Sequence, residues 1–246
     1  MRQSISSRIG FDRFVRRQWL DIAAETVLGG ASPEDLRAHL HAVLAEAHPG
    51  RKARSNTITV LVRVWASVGG EHLRLRDEAL SLWSETSHPE RLWLHWGMAL
   101  TAYPVFHTTA EIVGRLLRLQ GEVALSQTQR RLAELMGTRS TLGRAARRIV
   151  QSMVEWRALA DAEHKGTYCG TAKMTTASVP LQLWLLEASH LAGGTESVEA
   201  HSLIDSPALF PFALSVGTGD LRRSERFTVH RQGVDMEVVE VETEER

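Results

Sequence analysis

Between residues 14 and 160, apolar side chains recur every three or four positions: Phe14, Val15, Trp19, Ile22 and Ala23, then Leu36, Leu40, Val43 and Leu44. That period lines one face of a helix, so the stretch reads as a succession of helices. Gly29-Gly30 is expected to close the first. Ser32-Pro33-Glu34-Asp35 opens the second with a capping hydroxyl, a proline in the first turn and early acids, and His48-Pro49-Gly50 ends it. Ser55 or Asn56 is expected to cap a third helix, carried through Ile58, Leu61, Val62 and Trp65 to Gly69-Gly70. Further helices are predicted over 74–83, 88–102 and 109–119.

The next stretch divides its side chains more sharply. Ser126 with Gln129 three positions later reads as a capping box, so a helix is expected from Gln127, burying Leu132, Leu135 and Met136 and ending at Gly137. Thr138-Arg139-Ser140 forms a tight connection whose hydroxyls would cap a second helix. In that helix Leu142, Ala145, Ala146, Ile149, Val150, Met153 and Trp156 make one apolar stripe, and Thr141, Arg144, Arg147, Arg148 and Gln151 make the opposite one. Small Thr141, Gly143 and Ala145 would let such a helix approach a partner closely. Residues 156–160 and 166–169 read as two short strands about a Lys-Gly turn, residues 179–191 as a helix, and 226–230 with 234–238 as a hairpin about Gln232-Gly233. A short helix, a tight turn, a longer helix with a cationic face and a hairpin with a basic tip is the layout of a winged helix-turn-helix. The expected fold is mainly α: a helical bundle-like N-terminal body over 1–120, a central winged helix-turn-helix over 121–175, and a small C-terminal α+β segment over 176–246 ending in a β-hairpin. No fixed-period internal repeat and no low-complexity tract is visible.

Composition narrows the function. With 246 residues, 43% hydrophobic and 24% charged, the chain can bury a core, which excludes disordered and fibrous classes. Its 29 basic and 29 acidic residues cancel, so affinity for nucleic acid or membrane has to come from a local patch. Only Lys52, Lys165 and Lys173 are lysine; the other cations are arginine, whose planar fork suits phosphate oxygens and guanine edges, although a GC-rich genome yields the same bias. Between Arg130 and Arg157 stand seven arginines and two acids, a local net of +5. Arg139, Ser140, Thr141 and Arg144 lie where base edges would be reached, and Arg130, Arg147 and Arg148, with Gln151 beside them, lie where phosphates would be. His164, Lys165 and Tyr168 of the wing would meet the backbone or the adjacent minor groove. The same arginines could instead pair with acids of another subunit, or merely solvate a helix face. A second basic stretch places Arg51, Lys52 and Arg54 with Ser55, Asn56 and Thr57 at a helix start, where free N–H groups favour an anion, unless it is an ordinary basic loop.

Absences count too. One cysteine, Cys169, excludes an internal disulfide and a thiolate cluster and suits a reducing compartment. The start MRQSISSRIG has no apolar signal segment, and no apolar run approaches the ~20 residues of a membrane span, so the cytoplasm is the expected location. There is no phosphate-binding Gly-rich loop, no nucleophile elbow and no His-Glu-x-x-His. His39 and His41 diverge on a helix, and His88 and His95 have no carboxylate at ligand spacing. The Trp93, His95, Trp96, Tyr103 and His107 group reads as helical core with satisfied histidines rather than a cofactor pocket. Asp and Glu fall singly. No catalytic residue, metal or cofactor is expected, and the six acids against one arginine in the last fifteen residues read as a solvated tail.

The order of segments resembles the BrxA family of BREX phage-defence systems. The features that carry this are the first helix ending in Gly29-Gly30, the Ser-Pro-Glu-Asp helix start, the Arg51-Lys-Ala-Arg-Ser segment, the helical body and the helix-turn-helix ending at Trp156-Arg-Ala-Leu, over roughly residues 10–170. The resemblance implies a mostly helical, non-catalytic, cytoplasmic accessory protein that binds double-stranded DNA near other proteins of a defence complex. Two other readings stand beside it: a transcriptional regulator in which the region from 176 onward senses a ligand or dimerises, and a scaffold that docks proteins through the same cationic helix.

Overall fold

A computed structural model of the chain describes residues 10–232 and 236–241. It is mainly helical, 60% helix against 12% strand, so helix packing sets the frame and the sheets are accessories. No helix among the described residues is long and apolar enough to cross a membrane.

The N-terminal body comprises α1 (Arg17–Leu28), α2 (Pro33–Val43), α3 (Arg51–Trp65), α4 (Leu73–Leu82) and α5 (Arg91–Ala102). α1 closes where the glycines predicted it, with Gly30 left-handed at φ 83°. Its N–H and that of Ala31 return to Val27 and Thr26 at 2.9 and 3.3 Å. At α2, Ser32 and Asp35 cap each other reciprocally beside Pro33. Two boundaries differ from expectation. α2 stops at Val43, short of His48-Pro49-Gly50, and α3 starts at Arg51 with Gly50 as its N-cap, so neither Ser55 nor Asn56 caps it. Arg54 explains the arrangement: its guanidinium donates to the His48 carbonyl (2.9 Å) and to His41 Nδ1 (3.3 Å), closing the α2–α3 connection from inside the first turn of α3.

α6 (Pro104–Gln120) begins at a first-turn proline, before the expected Thr109, and ends at left-handed Gly121. There follow β1 (Glu122–Ala124), α7 (Leu125–Met136), α8 (Ser140–Glu155), β2 (Leu159–Asp161) and β3 (Thr167–Gly170). The three strands form an antiparallel sheet in the order β1-β3-β2, Val123 opposite Tyr168 and Ala160 opposite Cys169. Neither predicted side-chain cap forms. α7 starts directly out of β1, so Ser126 falls inside its first turn, and the Leu125 N–H is satisfied by the Gly166 carbonyl of the β2–β3 turn at 2.9 Å. α8 begins at Ser140 behind Arg139, without a hydroxyl cap. Leu132 is buried as expected and Met136 packs partly buried against the core, but Leu135 is 64% exposed.

The remainder holds α9 (Val179–Gly193), β4 (Ser197–Glu199), α10 (Ala200–Ile204), a 3-10 turn at Pro207–Leu209, α11 (Thr218–Arg223), β5 (Phe227–Gln232) and β6 (Met236–Val241). The expected hairpin is present as β5 and β6, while its turn at 233–235 lies outside the described residues. The sheet order is β4-β6-β5. Thus α9–β4–α10–α11–β5–β6 repeats the connectivity and strand order of α6–β1–α7–α8–β2–β3. Both first helices end in a left-handed glycine, Gly121 and Gly194, and both first strands centre on a valine, Val123 and Val198. Because α10 and α11 are far shorter than α7 and α8, the repeat has no constant period in the sequence.

One hydrophobic core joins all of this, from Phe11 to Val239. At its centre Phe11, Phe106, Trp96 and Trp156 meet edge-on or tilted at 5.1–6.4 Å between centroids. Three buried indoles find carbonyl acceptors across elements, Trp96 on Ala208, Trp156 on Val15 and Trp184 on Leu75, while Trp93 Nε1 has none among the described residues. Glycine permits two tight crossings. A Cβ on Gly97 would lie 2.5 Å from the Trp184 ring of α9, and one on Gly114 of α6 would lie 1.9 Å from the Pro207 carbonyl oxygen.

Candidate nucleic-acid interface

The predicted apolar stripe of α8 is the buried one: Leu142, Ala145, Ala146, Ile149, Val150, Met153 and then Trp156. Both ends of the helix are held. Near its start, Gln129 of α7 donates Nε2–H to the Gly143 carbonyl at 2.7 Å. Near its end, the segment before α1 docks: the Val15 N–H donates to Ser152 Oγ (2.9 Å), the Arg17 N–H to Glu155 Oε2 (2.8 Å), and Trp156 Nε1 to the Val15 carbonyl (3.0 Å). A helix so fixed presents its other face without rearrangement.

That face is polar and cationic. Ser140, Thr141, Arg144 and Arg147 are exposed, and Arg148 and Gln151 are half-buried, with Arg148 donating to Gln151 Oε1 at 3.0 Å. Among the described residues Arg144 and Arg147 have no carboxylate partner. Arg147 lies close enough to Tyr168 of β3 to favour ionisation of its phenol, against burial, the larger influence, which together with Asp161 pushes that phenol up. Arg139, the residue before α8, is exposed. Arg130 of α7 stands 3.8 Å from Glu134 across one exposed helical turn, a contact worth only a few tenths of a kcal/mol. At the β2–β3 tip His164 and Lys165 are exposed, and Gly166 takes φ 80° to turn the chain. The structure therefore gathers the α7, α8 and hairpin residues about one region. Of the small residues expected to ease a close approach, Thr141 is exposed, whereas Ala145 lies in the buried stripe and the Gly143 carbonyl is bound by Gln129.

The second basic stretch lies elsewhere. α3 packs on α1, α2 and α5, whereas α8 packs on α6, α7 and β2. Arg51 and Lys52 are exposed in the first turn of α3, but the donors of Arg54 are turned inward as described.

The aromatic and histidine group divides. Trp93, His95, Trp96 and Tyr103 are core, while His107 lines a surface cleft beside α9. His95 is satisfied at both nitrogens: Nδ1 accepts from Trp65 Nε1 at 3.2 Å, which fixes the proton on Nε2, and Nε2 meets Asp21 Oδ1 at 3.1 Å. Burial holds this imidazole below its ordinary value and so neutral, while Asp21, despite burial, is kept ionised by His95, Arg17 and His88. His88 Nε2 stands 3.5 Å from the other Asp21 oxygen, so both histidines share a carboxylate remote in sequence. Among the described residues no three His, Cys, Asp or Glu side chains cluster to hold a metal ion. Sequence reasoning also missed Arg157, the non-glycine residue with positive φ among those described. Comparisons with protein-family models, curated proteins and solved structures find no match to this chain.

Proposed function

We propose that residues 104–170 form a winged helix-turn-helix that binds double-stranded DNA, with α8 in the major groove and the β2–β3 tip on the flanking backbone. The observation that carries this reading is the exposed Arg144 and Arg147, without carboxylate partners, on a helix anchored at both ends. An arginine already in an ion pair must give that pair up to bind phosphate; these two do not. The packing of α8 against β2 supports the assignment, since it sets the β2–β3 hairpin beside the helix. Arg139, Ser140, Thr141 and Arg144 are the base-edge candidates, near the helix start. Arg147, Lys165 and Arg130 are assigned to phosphates, as is Arg148 once it releases Gln151. The protein acts without catalysis, and its place as an accessory of a BREX-like defence complex rests on the order of segments alone.

Electrophoretic mobility shift on random and locus-derived duplexes tests the reading. The wild type is expected to shift both, and the Arg144→Ala, Arg147→Ala double variant to lose the shift while keeping its helical circular dichroism. A double variant that binds as the wild type does overturns it. A ligand-sensing regulator remains the second reading, favoured by the cleft that His107 lines.

A further inference from the structure

A cleft of about 460 Å3 separates α6 from the C-terminal repeat, within the size range of small-ligand sites. α6 supplies His107, Glu111, Arg115 and Arg118, spaced so that they share one face, opposite the face that buries Phe106, Val113 and the rest of its apolar stripe. The facing wall carries Ser189 and His190 of α9, Ser202 of α10 and Asp205. The charges can be followed one by one. Arg115 is matched by Glu111 at 3.2 Å. Arg118 donates to the Asp205 main-chain carbonyl at 2.6 Å, a neutral acceptor that leaves its charge unmatched. The Asp205 carboxylate forms no ion pair among the described residues. Burial keeps His107 and His190 below the ordinary imidazole range, hence neutral. The cleft therefore holds one spare cation and one spare carboxylate on adjoining walls. His190 is only 5% exposed and its Nδ1 has no hydrogen-bond partner. A buried polar atom left so costs free energy that a hydrogen-bonding ligand or water can recover.

We propose that this cleft binds a free α-amino acid, its carboxylate on Arg118, its ammonium on Asp205, and a polar side chain directed at the wall formed by His107, Ser189 and Ser202. A doubly charged phosphate ester fits less well, since it would meet one unmatched cation with Asp205 opposing it. The inference stands whether or not α8 touches DNA. If both hold, the ligand bridges the first helix of the DNA-binding unit to its repeat and couples the two.

Isothermal titration of the full chain with the twenty amino acids, and with inorganic phosphate and glucose as probes of rival chemistries, tests the assignment. At least one amino acid with a hydrogen-bonding side chain is expected to bind. Arg118→Gln and Asp205→Asn, both at exposed positions, are each expected to weaken it by about tenfold or more, as loss of a charged hydrogen bond does. Arg37→Gln, on the exposed side of α2, is expected to leave affinity unchanged. Circular dichroism confirms that each variant folds. Binding of phosphate or glucose alone, no binding at all, or amino-acid binding indifferent to both substitutions overturns the proposal.

Discussion

Arg157 sits where most proteins place glycine. Its N–H returns to Val154 (3.0 Å) and the next N–H, of Ala158, to Met153 (2.9 Å), the closing pattern that Gly30 makes for α1, but Arg157 adopts φ 61° with a side chain attached. That conformation costs an L-residue about 1–2 kcal/mol, partly offset by the greater unfolded-state freedom of glycine. Arg157→Gly is therefore expected to stabilise the fold by roughly 0.5–1 kcal/mol, read as a higher denaturant midpoint. A lower midpoint would mean that contacts of the Arg157 side chain outweigh its backbone strain. His95 gives a pH dependence. The folded ring resists protonation because burial and the Trp65 N–H oppose a second proton, whereas the unfolded ring accepts one near its ordinary value of 6.5. Protons then favour the unfolded state, so stability present above pH 6.5 is lost as pH falls below it. His48, His72, His107 and His190 are lowered in the same direction by burial. The contribution of His95 is the difference between wild type and His95→Gln, which can still accept from Trp65 and donate to Asp21. Chemical denaturation at pH 7.5 and 5.5 is expected to show a smaller acid loss in His95→Gln, and an equal loss would remove the imidazole from the explanation.

At the scale of the element, α8 is a helix with two incompatible faces. Leu142→Asp and Ile149→Asp put an unpaired charge at positions 2% and 0% exposed and are expected to abolish the cooperative thermal transition. Arg144→Ala and Arg147→Ala alter exposed positions and are expected to change stability by no more than about 0.5 kcal/mol. Such a helix is legible in sequence because one side must be continuously apolar over four turns, and every residue assigned to that side is buried. β1 and β4 are three residues each, too short to display alternation, and they escaped notice although each completes a sheet. Ser126 and Gln129 have the right spacing for a cap, but the chain enters α7 directly from β1, its Leu125 N–H bound to the Gly166 carbonyl of a distant turn, so Ser126 lies inside the first turn, too far into the helix to cap it. Arg54 looked available for an anion because its partners, His41 and the His48 carbonyl, become neighbours only when α2 folds against α3. The Asp21–His95 pair and the α6 cleft escaped for the same reason: their members lie far apart in the chain.

At the scale of the whole molecule, two units of like topology meet chiefly where α6 packs on the 3-10 turn at Pro207–Leu209, and Gly114 sets how closely. Gly114→Ala would push a methyl into the Pro207 carbonyl, which is backbone and cannot swing aside, so destabilisation of about 1–3 kcal/mol is expected in thermal or urea unfolding. Glu187, fully buried on α9, ties the second unit to α4 of the N-terminal body through its ion pairs with Arg74 and with Arg226, which also reaches Glu78. The cations of α11, the counterpart of α8, are taken up at Arg222–Glu237 and Arg223–Asp220. The formal charge of the chain is zero, so the proposed attraction to DNA rests on a local patch, here the α7, α8 and hairpin cations. The salt dependence of affinity for a duplex measures this most directly. With Arg130, Arg147, Arg148 and Lys165 on phosphates, the slope of log affinity against log salt is expected to be about −3 to −4, at roughly 0.9 per contact, and Arg147→Ala should make it shallower by about 0.9. A slope near zero, or one that Arg147→Ala leaves unchanged, would contradict the assignment of α8 to DNA.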